Sequence, residues 1–186
     1  MTEESSQPSA TSDSPLDELK QGIRNIPNFP KPGIQFKDIT PLLADCRLFR
    51  MALEQMIGSH QPDDIDLVVG IDARGFIFGA AAAAMLNAGF VPIRKQGKLP
   101  FETIEQSYDL EYGSNTIAMH RDAVLPGQRV LLLDDLLATG GTAAAALELL
   151  QQLQAQVVEA VFLVELEFLS GRKLLGDVPV RSIIAY

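Results

Sequence analysis

Residues 130–142 decide how we interpret the fold, and they read Val130-Leu131-Leu132-Leu133-Asp134-Asp135-Leu136-Leu137-Ala138-Thr139-Gly140-Gly141-Thr142. The run over 129–133 predicts a buried strand, and the alanine-rich segment over 143–154 predicts a helix. Between them lie two glycines, which permit close backbone approach, and two threonines, which supply hydroxyl donors. A helix N-terminus behind such a loop offers free N–H groups, so the loop is suited to bind one phosphate monoester.

Two carboxylates, Asp134 and Asp135, stand at the carboxyl end of the predicted strand. They suit either the cis hydroxyls of a ribose or a hydrated Mg²⁺. Plain structural roles are the alternative, because Asp pairs often cap helices and Gly-Gly pairs often form turns. The combination over thirteen consecutive positions favours a ligand site. The usual nucleotide signatures, G-x-x-x-x-G-K-[ST] and G-x-G-x-x-G, are absent from the sequence.

Strand and helix patterns alternate on both sides of this segment. Further strands are predicted at 65–71, 90–94, 116–120, 157–164 and 181–185, and further helices at 16–23, 45–57 and 76–87, the last closed by Gly89. The polar stretch over 95–113 is predicted to be a mobile lid. The alternation predicts an α/β fold with a parallel twisted sheet flanked by helices, and ligands in such folds bind beyond the carboxyl ends of the strands.

Composition limits the classes of function. The 186 residues are 47% apolar, which predicts a single domain over 16–186 behind a polar, disordered tail over 1–15. The formal net charge of −9 argues against binding to nucleic acid or to an anionic membrane. A single cysteine, Cys46, and the lack of a secretory or membrane-spanning pattern predict a cytoplasmic, soluble protein. Cys46, His60 and His120 lack ligand-like neighbours in the sequence, which disfavours thiol or metal-centre catalysis.

Four other blocks of sequence accompany residues 130–142: NFPKPGIQFKDITPLL at 28–43, DARGF at 72–76, RKQGKLP at 94–100 and SYDLEYG at 107–113. In this order the five blocks resemble the adenine phosphoribosyltransferases, which are type I phosphoribosyltransferases, over about residues 20–186. The resemblance implies the type I phosphoribosyltransferase fold with a flexible lid hairpin, and a homodimer. The implied reaction is one of purine salvage, in which adenine and 5-phospho-α-D-ribose 1-diphosphate give AMP and diphosphate. Mg²⁺ would be carried by the sugar diphosphate and not by a protein metal site.

The resemblance also implies which residues bind each part of the sugar diphosphate. Asp134 and Asp135 would bind the ribose hydroxyls, with contact to Mg²⁺ through water as an open alternative. The 5-phosphate would lie against Ala138, Thr139, Gly140, Gly141 and Thr142. The diphosphate would face Asp72, Ala73, Arg74, Gly75, Arg94, Lys95 and Lys98, and the peptide bond between Asp72 and Ala73 is expected to be cis.

For the base, the resemblance points to Gln35, Phe36 and Lys37. The Phe36 ring would stack on adenine while backbone groups of its two neighbours read the edge of the ring. Glu111, in the lid, would accept or relay the proton that adenine loses. Tyr108 and Tyr112 flank it and would pack over the closed site.

Two other functions remain open from the sequence. One is a regulatory module that binds the sugar diphosphate or a nucleotide without turnover, and the other is a phosphoribosyltransferase for another base. Glu111 and the basic trio, Arg94, Lys95 and Lys98, favour an enzyme, and the Phe36 segment favours adenine. The chain departs from the family pattern at Lys37, where many relatives have Arg, and at Phe101, where relatives tend to have a basic or small residue.

Overall fold

The computed structural model describes residues 14–109 and 114–186, which pack as two compact units. The first unit ends at Met51 and the second runs from Ala52 to Tyr186. The predicted disordered tail falls outside the described residues except at its end. There Ser14 caps the first helix and Pro15 is the first residue of that helix, which therefore begins one residue before the predicted start at Leu16.

The first unit contains two short helices, a two-stranded sheet and the start of a longer helix. Its elements are α1 (Pro15–Gln21), β1 (Arg24–Pro27), β2 (Gln35–Asp38), α2 (Thr40–Ala44) and the first half of α3 (Cys46–Ile57). α1 starts with a capping box, in which the Asp17 N–H donates to Ser14 Oγ at 3.2 Å. β1 and β2 pair antiparallel and were not predicted, because four polar-rich residues each are too few to show a period.

The second unit is a seven-stranded sheet with helices. Its elements are β3 (Leu67–Ile71), α4 (Gly75–Met85), β4 (Gly89–Lys95), β5 (Thr103–Asp109), β6 (Ser114–His120), β7 (Arg129–Leu137), α5 (Gly141–Gln152), β8 (Gln156–Glu165) and β9 (Val180–Ala185). The strand order is β5-β6-β4-β3-β7-β8-β9. The strands from β4 to β9 in this order are parallel, whereas β6 is antiparallel to β4 and to β5. This confirms the predicted α/β class. Within the predicted lid over 95–113, residues 103–109 form β5, which pairs with β6.

Two boundaries differ from the sequence expectation. β7 continues four residues past Leu133, so Asp134 and Asp135 lie within the strand and not in the following loop. Continued pairing with β8, up to Leu137 opposite Glu165, explains the extension. α4 ends at Met85, and Gly89 opens β4 instead of closing the helix. A Cβ on Gly89 would lie 2.7 Å from Leu67 Cδ2, so close strand packing accounts for that glycine.

Helices cover both faces of the sheet, and the carboxyl ends of β4, β3, β7, β8 and β9 meet at one edge because these strands are parallel. Val69, Leu132 and Phe162 are fully buried in one apolar cluster with Leu149 of α5. The other face packs against α4, since a Cβ on Gly70 would lie 3.0 Å from the Gly75 carbonyl oxygen. Within the described ranges, no helix combines the length and the hydrophobicity that a membrane crossing requires.

Candidate active site

The strand order reverses direction at β3, and a cavity lies at this point. β3 has β4 on one side and β7 on the other, so the connections that leave their carboxyl ends diverge. Such a switch point forms a crevice in which ligands of open α/β sheets bind. The cavity has a volume of about 240 Å³, and its lining includes Asp72, Ala73, Arg74, Tyr108, Asp134, Asp135, Ala138, Thr139, Gly140 and Thr142.

The 138–142 loop joins β7 to α5. Gly140, the N-cap of α5, has a left-handed φ of +86°. Its carbonyl oxygen accepts the first helical hydrogen bond, from the Ala144 N–H at 2.8 Å. The N–H groups of the first turn precede that bond and have no partner within the helix, so the loop can present them to an anion. Four of the five residues predicted to bind the 5-phosphate line the cavity, and Gly141 does not.

The two carboxylates of β7 have different surroundings. Asp135 is buried and forms an ion pair with Arg74 Nε, which joins the end of β7 to the loop after β3. Asp134 is half-buried, and its Oδ1 accepts a hydrogen bond from the Asp135 N–H at 2.8 Å. Burial, followed by the charge of Asp135, raises the pKa of Asp134 well above its ordinary value.

Gly75 is required by the position of Asp134. A Cβ at Gly75 would lie 2.8 Å from Asp134 Oδ1 and 3.0 Å from the Leu133 carbonyl oxygen. Gly75 is not among the residues that line the cavity, and its predicted contact with the diphosphate stays a prediction.

The peptide bond between Asp72 and Ala73 is cis, as the resemblance implied. The basic trio lies beside this loop and outside the cavity lining. Arg94 Nε donates to Asp72 Oδ2 at 3.3 Å, and Arg94 Nη1 donates to the Lys98 carbonyl oxygen at 3.0 Å. Lys95 and Lys98 are exposed.

The residues predicted to bind the base belong to the first unit, on β2. The Phe36 ring is half-buried, and the Phe29 ring meets it edge to face with centroids 5.1 Å apart. Lys37 Nζ donates to Asn25 Oδ1 at 2.7 Å, and burial lowers the pKa of Lys37. Within the described residues β2 pairs with β1 alone, so its other edge presents backbone donors and acceptors.

Comparisons with known proteins agree with this geometry. The phosphoribosyl transferase domain family matches residues 37–181. The adenine phosphoribosyltransferase of Bradyrhizobium sp. (strain ORS 278) is 55% identical over 171 residues, which cover 91% of this chain and 96% of that protein. The crystal structure of the Rhodothermus marinus adenine phosphoribosyltransferase superposes with a TM-score of 0.87 at 52% identity, covering 92% of this chain and 98% of that one.

A third relative was solved with ligands. The Saccharomyces cerevisiae adenine phosphoribosyltransferase, complexed with D-2,5-dideoxy-2,5-imino-altritol 1,6-bisphosphate and adenine, has a TM-score of 0.84 at 40% identity over 91% of this chain and 98% of that one. The chain belongs to the adenine phosphoribosyltransferase family.

Glu111, predicted to handle the proton, lies outside the described residues. No group of three or more His, Cys, Asp or Glu side chains that could hold a metal ion occurs within residues 14–109 and 114–186. Asp134 and Asp135 form only a pair, which fits a Mg²⁺ ion that takes most of its ligands from the sugar diphosphate and water.

Sequence reasoning missed a residue that contacts the 138–142 loop. Gly171 lies in a segment of two short 3₁₀ turns, Glu167–Leu169 and Gly171–Leu174, after β8. A Cβ on Gly140 would lie 2.2 Å from the Gly171 carbonyl oxygen, so the two backbones are in direct contact. A single glycine in the stretch 167–175 carries no periodic pattern, and no motif in the sequence indicates its contact.

Proposed function

We propose that this chain transfers the 5-phosphoribosyl group of 5-phospho-α-D-ribose 1-diphosphate to adenine, forming AMP and releasing diphosphate. The observation that carries the proposal is the cavity at the β3–β7 switch point. It brings together the 138–142 loop, the acidic pair and the Asp72–Arg74 loop, which were each predicted to bind a different part of that one substrate. The yeast relative's complex with adenine supports the choice of base.

The 5-phosphate binds to the 138–142 loop. Backbone N–H groups at the start of α5, together with the hydroxyls of Thr139 and Thr142, supply donors for its oxygens. The aligned peptide dipoles of α5 add partial positive charge at the same point. This local source of positive potential is needed because the chain as a whole carries a net charge of −9.

The ribose hydroxyls donate hydrogen bonds to Asp134 and Asp135, whose carboxylates stand at the end of β7. The ion pair between Arg74 and Asp135 fixes the position of the diphosphate end of the site relative to the ribose end. Bound with the substrate, Mg²⁺ supplies positive charge to the diphosphate oxygens.

Bond cleavage at the sugar develops positive charge on the ribose and negative charge on the leaving diphosphate. Backbone groups of Asp72 and Ala73, with Arg74, Arg94, Lys95 and Lys98, attract the diphosphate. Most of the rate acceleration comes from positioning the reactants and neutralising this charge, because both effects act on the transition state.

Adenine binds at Gln35, Phe36 and Lys37. Its flat face stacks on Phe36, and the Phe29 ring holds Phe36 by an edge-to-face contact. The outer edge of β2 offers backbone N–H and carbonyl groups to the edge of the base. Such groups discriminate a 6-amino from a 6-oxo purine, because a mismatch leaves a buried polar group unpaired. Glu111 accepts or relays the proton that adenine loses as the new bond forms.

The active protein is a cytoplasmic homodimer. Support for the dimer comes from α4, whose sequence GFIFGAAAAAM contains no polar side chain. Phe78 and Ala82 are buried against the sheet, yet Ile77, Ala80 and Met85 are exposed. A helix that is apolar on all sides is usually buried on all sides, so a second copy of the chain covers this face.

The test is release of diphosphate from the sugar diphosphate, measured with adenine, hypoxanthine, guanine, xanthine or uracil, and with Mg²⁺ present or chelated. Release with adenine alone, lost on chelation, is the expected result. Release with another base instead would assign a different phosphoribosyltransferase. Binding of the sugar diphosphate without release for any base would assign a regulatory module.

A further inference from the structure

The 138–142 loop has a backbone neighbour from a distant part of the chain. A Cβ on Gly171 would lie 2.2 Å from the Ala138 carbonyl oxygen, 2.8 Å from the Gly140 nitrogen and 2.9 Å from the Thr139 carbonyl carbon. The reciprocal Cβ, on Gly140, would lie 2.2 Å from the Gly171 carbonyl oxygen. Neither position has room for a side chain, so the loop and the segment after β8 pack backbone against backbone.

Gly171 is in turn held by its neighbour Arg172. The Arg172 guanidinium donates from Nε to Glu165 Oε1 at 3.1 Å, and its Nη2 donates to the other carboxylate oxygen. Arg172 Nη1 also donates to the Val180 carbonyl oxygen at 2.7 Å, at the start of β9. One side chain thus ties the turn that carries Gly171 to two adjacent strands.

Glu165, the partner of Arg172, also lies next to the start of the 138–142 loop. It is the last residue of β8, is only 5% exposed, and pairs in the sheet with Leu137, the residue before the 138–142 loop. The next residue, Leu166, donates its N–H to the Leu137 carbonyl oxygen at 2.9 Å. The loop is therefore fixed at its root by β8 and along its length by Gly171.

We propose that Gly171 and the Arg172–Glu165 ion pair are positioning residues, which hold the 138–142 loop in the conformation that binds the 5-phosphate. The proposal rests on the proposed function, which assigns the 5-phosphate to that loop. These residues act through the loop and do not touch substrate. A loop displaced by about 1 Å can lower the efficiency of a site a hundredfold, so a side chain at Gly171 weakens phosphate binding strongly.

The test is calorimetric titration of the full chain with ribose 5-phosphate, which probes the loop without adenine or diphosphate. Gly171→Ala is expected to raise the Kd at least about tenfold with unchanged stoichiometry. Arg172→Lys keeps the positive charge but cannot form the bidentate hydrogen bonds to Glu165, so a smaller rise in Kd is expected. The control is Lys173→Ala, which truncates an exposed side chain in the same turn, one residue after Arg172, and should bind as the wild type does. In turnover, the KM for the sugar diphosphate rises while that for adenine does not change.

Three results would overturn the proposal. A normal Kd with fewer sites per chain in both Gly171→Ala and Arg172→Lys would mean that these residues serve folding alone. Equal weakening by Lys173→Ala would mean that any substitution in this turn weakens binding, whether or not it touches the 138–142 loop or the ion pair. Failure of the wild type to bind ribose 5-phosphate would remove the assigned ligand. Binding by the wild type without diphosphate release for any base would instead overturn only the proposed function, since the variants' Kd values still decide the role of Gly171.

Discussion

Asp134 is placed where burial and the charge of Asp135 raise its pKa, so its ionised form is less stable in the folded protein than in the unfolded chain. The folded state binds this proton more tightly, and stability falls as the pH rises from about 4 through the folded pKa. Asp134→Asn should therefore raise the Tm at pH 8, with a smaller gain toward pH 4. The same variant should raise the KM for the sugar diphosphate. Thermal denaturation at both pH values, with steady-state kinetics at pH 8, measures both effects.

Asp66 provides a control of opposite sign. Hydrogen bonds from Arg129 lower the pKa of Asp66 to about 2, so this carboxylate contributes stability above about pH 4 that is lost as the pH falls through 2. Asp66→Asn should lower the Tm at pH 8 and approach the wild type in acid. If Asp134→Asn also lowers the Tm at pH 8, the unfavourable burial of Asp134 is refuted.

Glu111→Ala tests the proposed proton acceptor. Loss of a positioned general base typically slows a reaction by about 10² to 10⁴, and we expect a decrease in kcat of that order. Affinity for ribose 5-phosphate should not change, because that ligand carries no base and takes no part in the proton transfer. Glu111→Gln serves as the matched variant, since it keeps the size of the side chain and removes the carboxylate. Normal kcat in either variant would rule out the role.

At the scale of single elements, Arg181 of β9 caps the end of α3. Its guanidinium donates to the carbonyl oxygens of Gln55 and Met56, and to Glu159 Oε1 at 3.0 Å. Arg181→Ala leaves those carbonyls and a half-buried carboxylate without these donors, which should lower the free energy of unfolding by about 2 kcal/mol. For a chain of this length, the Tm should fall by about 4 to 8 °C. Differential scanning calorimetry measures the shift.

A suitable comparison is Arg24→Ala, which removes an ion pair with Asp38 whose arginine side chain is 59% exposed. Exposed pairs contribute less than about 1 kcal/mol, so this variant should melt close to the wild type. Equal shifts for Arg24→Ala and Arg181→Ala would contradict the capping role. In both variants the KM for the sugar diphosphate should stay normal, because neither residue lines the cavity.

The elements differ in how well the sequence predicted them, and the reason is the kind of signal each carries. β7 and α5 were predicted because a buried strand and an alanine-rich helix have strong local patterns. β5 was predicted only as part of a lid, since its polar side chains give no apolar alternation and its pairing with β6 is a long-range contact. The end of β7 was placed too early for a similar reason: pairing with β8 extends it past the last buried leucine of the run.

The same distinction applies to the candidate site. The 138–142 loop, Asp134 and Asp135 could be predicted because they are contiguous in sequence and because glycine, threonine and aspartate indicate phosphate and ribose binding. The Arg74–Asp135 ion pair joins positions sixty-one residues apart, and the Gly140–Gly171 contact joins two backbones. Neither has a local pattern. Contacts of that kind follow from the order of strands in the sheet, which the sequence leaves open.

At the scale of the whole molecule, α4 links the candidate site to the proposed dimer. The helix begins at Gly75, directly after Arg74, and its far side exposes Ile77 and Met85 at 41% and 45%. A second copy packed on this face would restrain the loop that carries Arg74. Dimerisation and binding of the sugar diphosphate are therefore expected to be coupled.

Ile77→Glu tests that coupling, because a charge buried in an apolar interface carries a large desolvation penalty. We expect the wild type to sediment as a dimer at micromolar concentration and Ile77→Glu as a monomer, with a raised KM for the sugar diphosphate. Leu125→Glu introduces the same charge at a leucine that is 64% exposed and precedes β7, far along the chain from α4, and it should remain dimeric. A monomeric wild type, or a dimeric Ile77→Glu variant, would show that this face of α4 is not the interface. If Ile77→Glu is monomeric but its KM is normal, this face of α4 is the interface, but dimerisation does not influence the Arg74 loop.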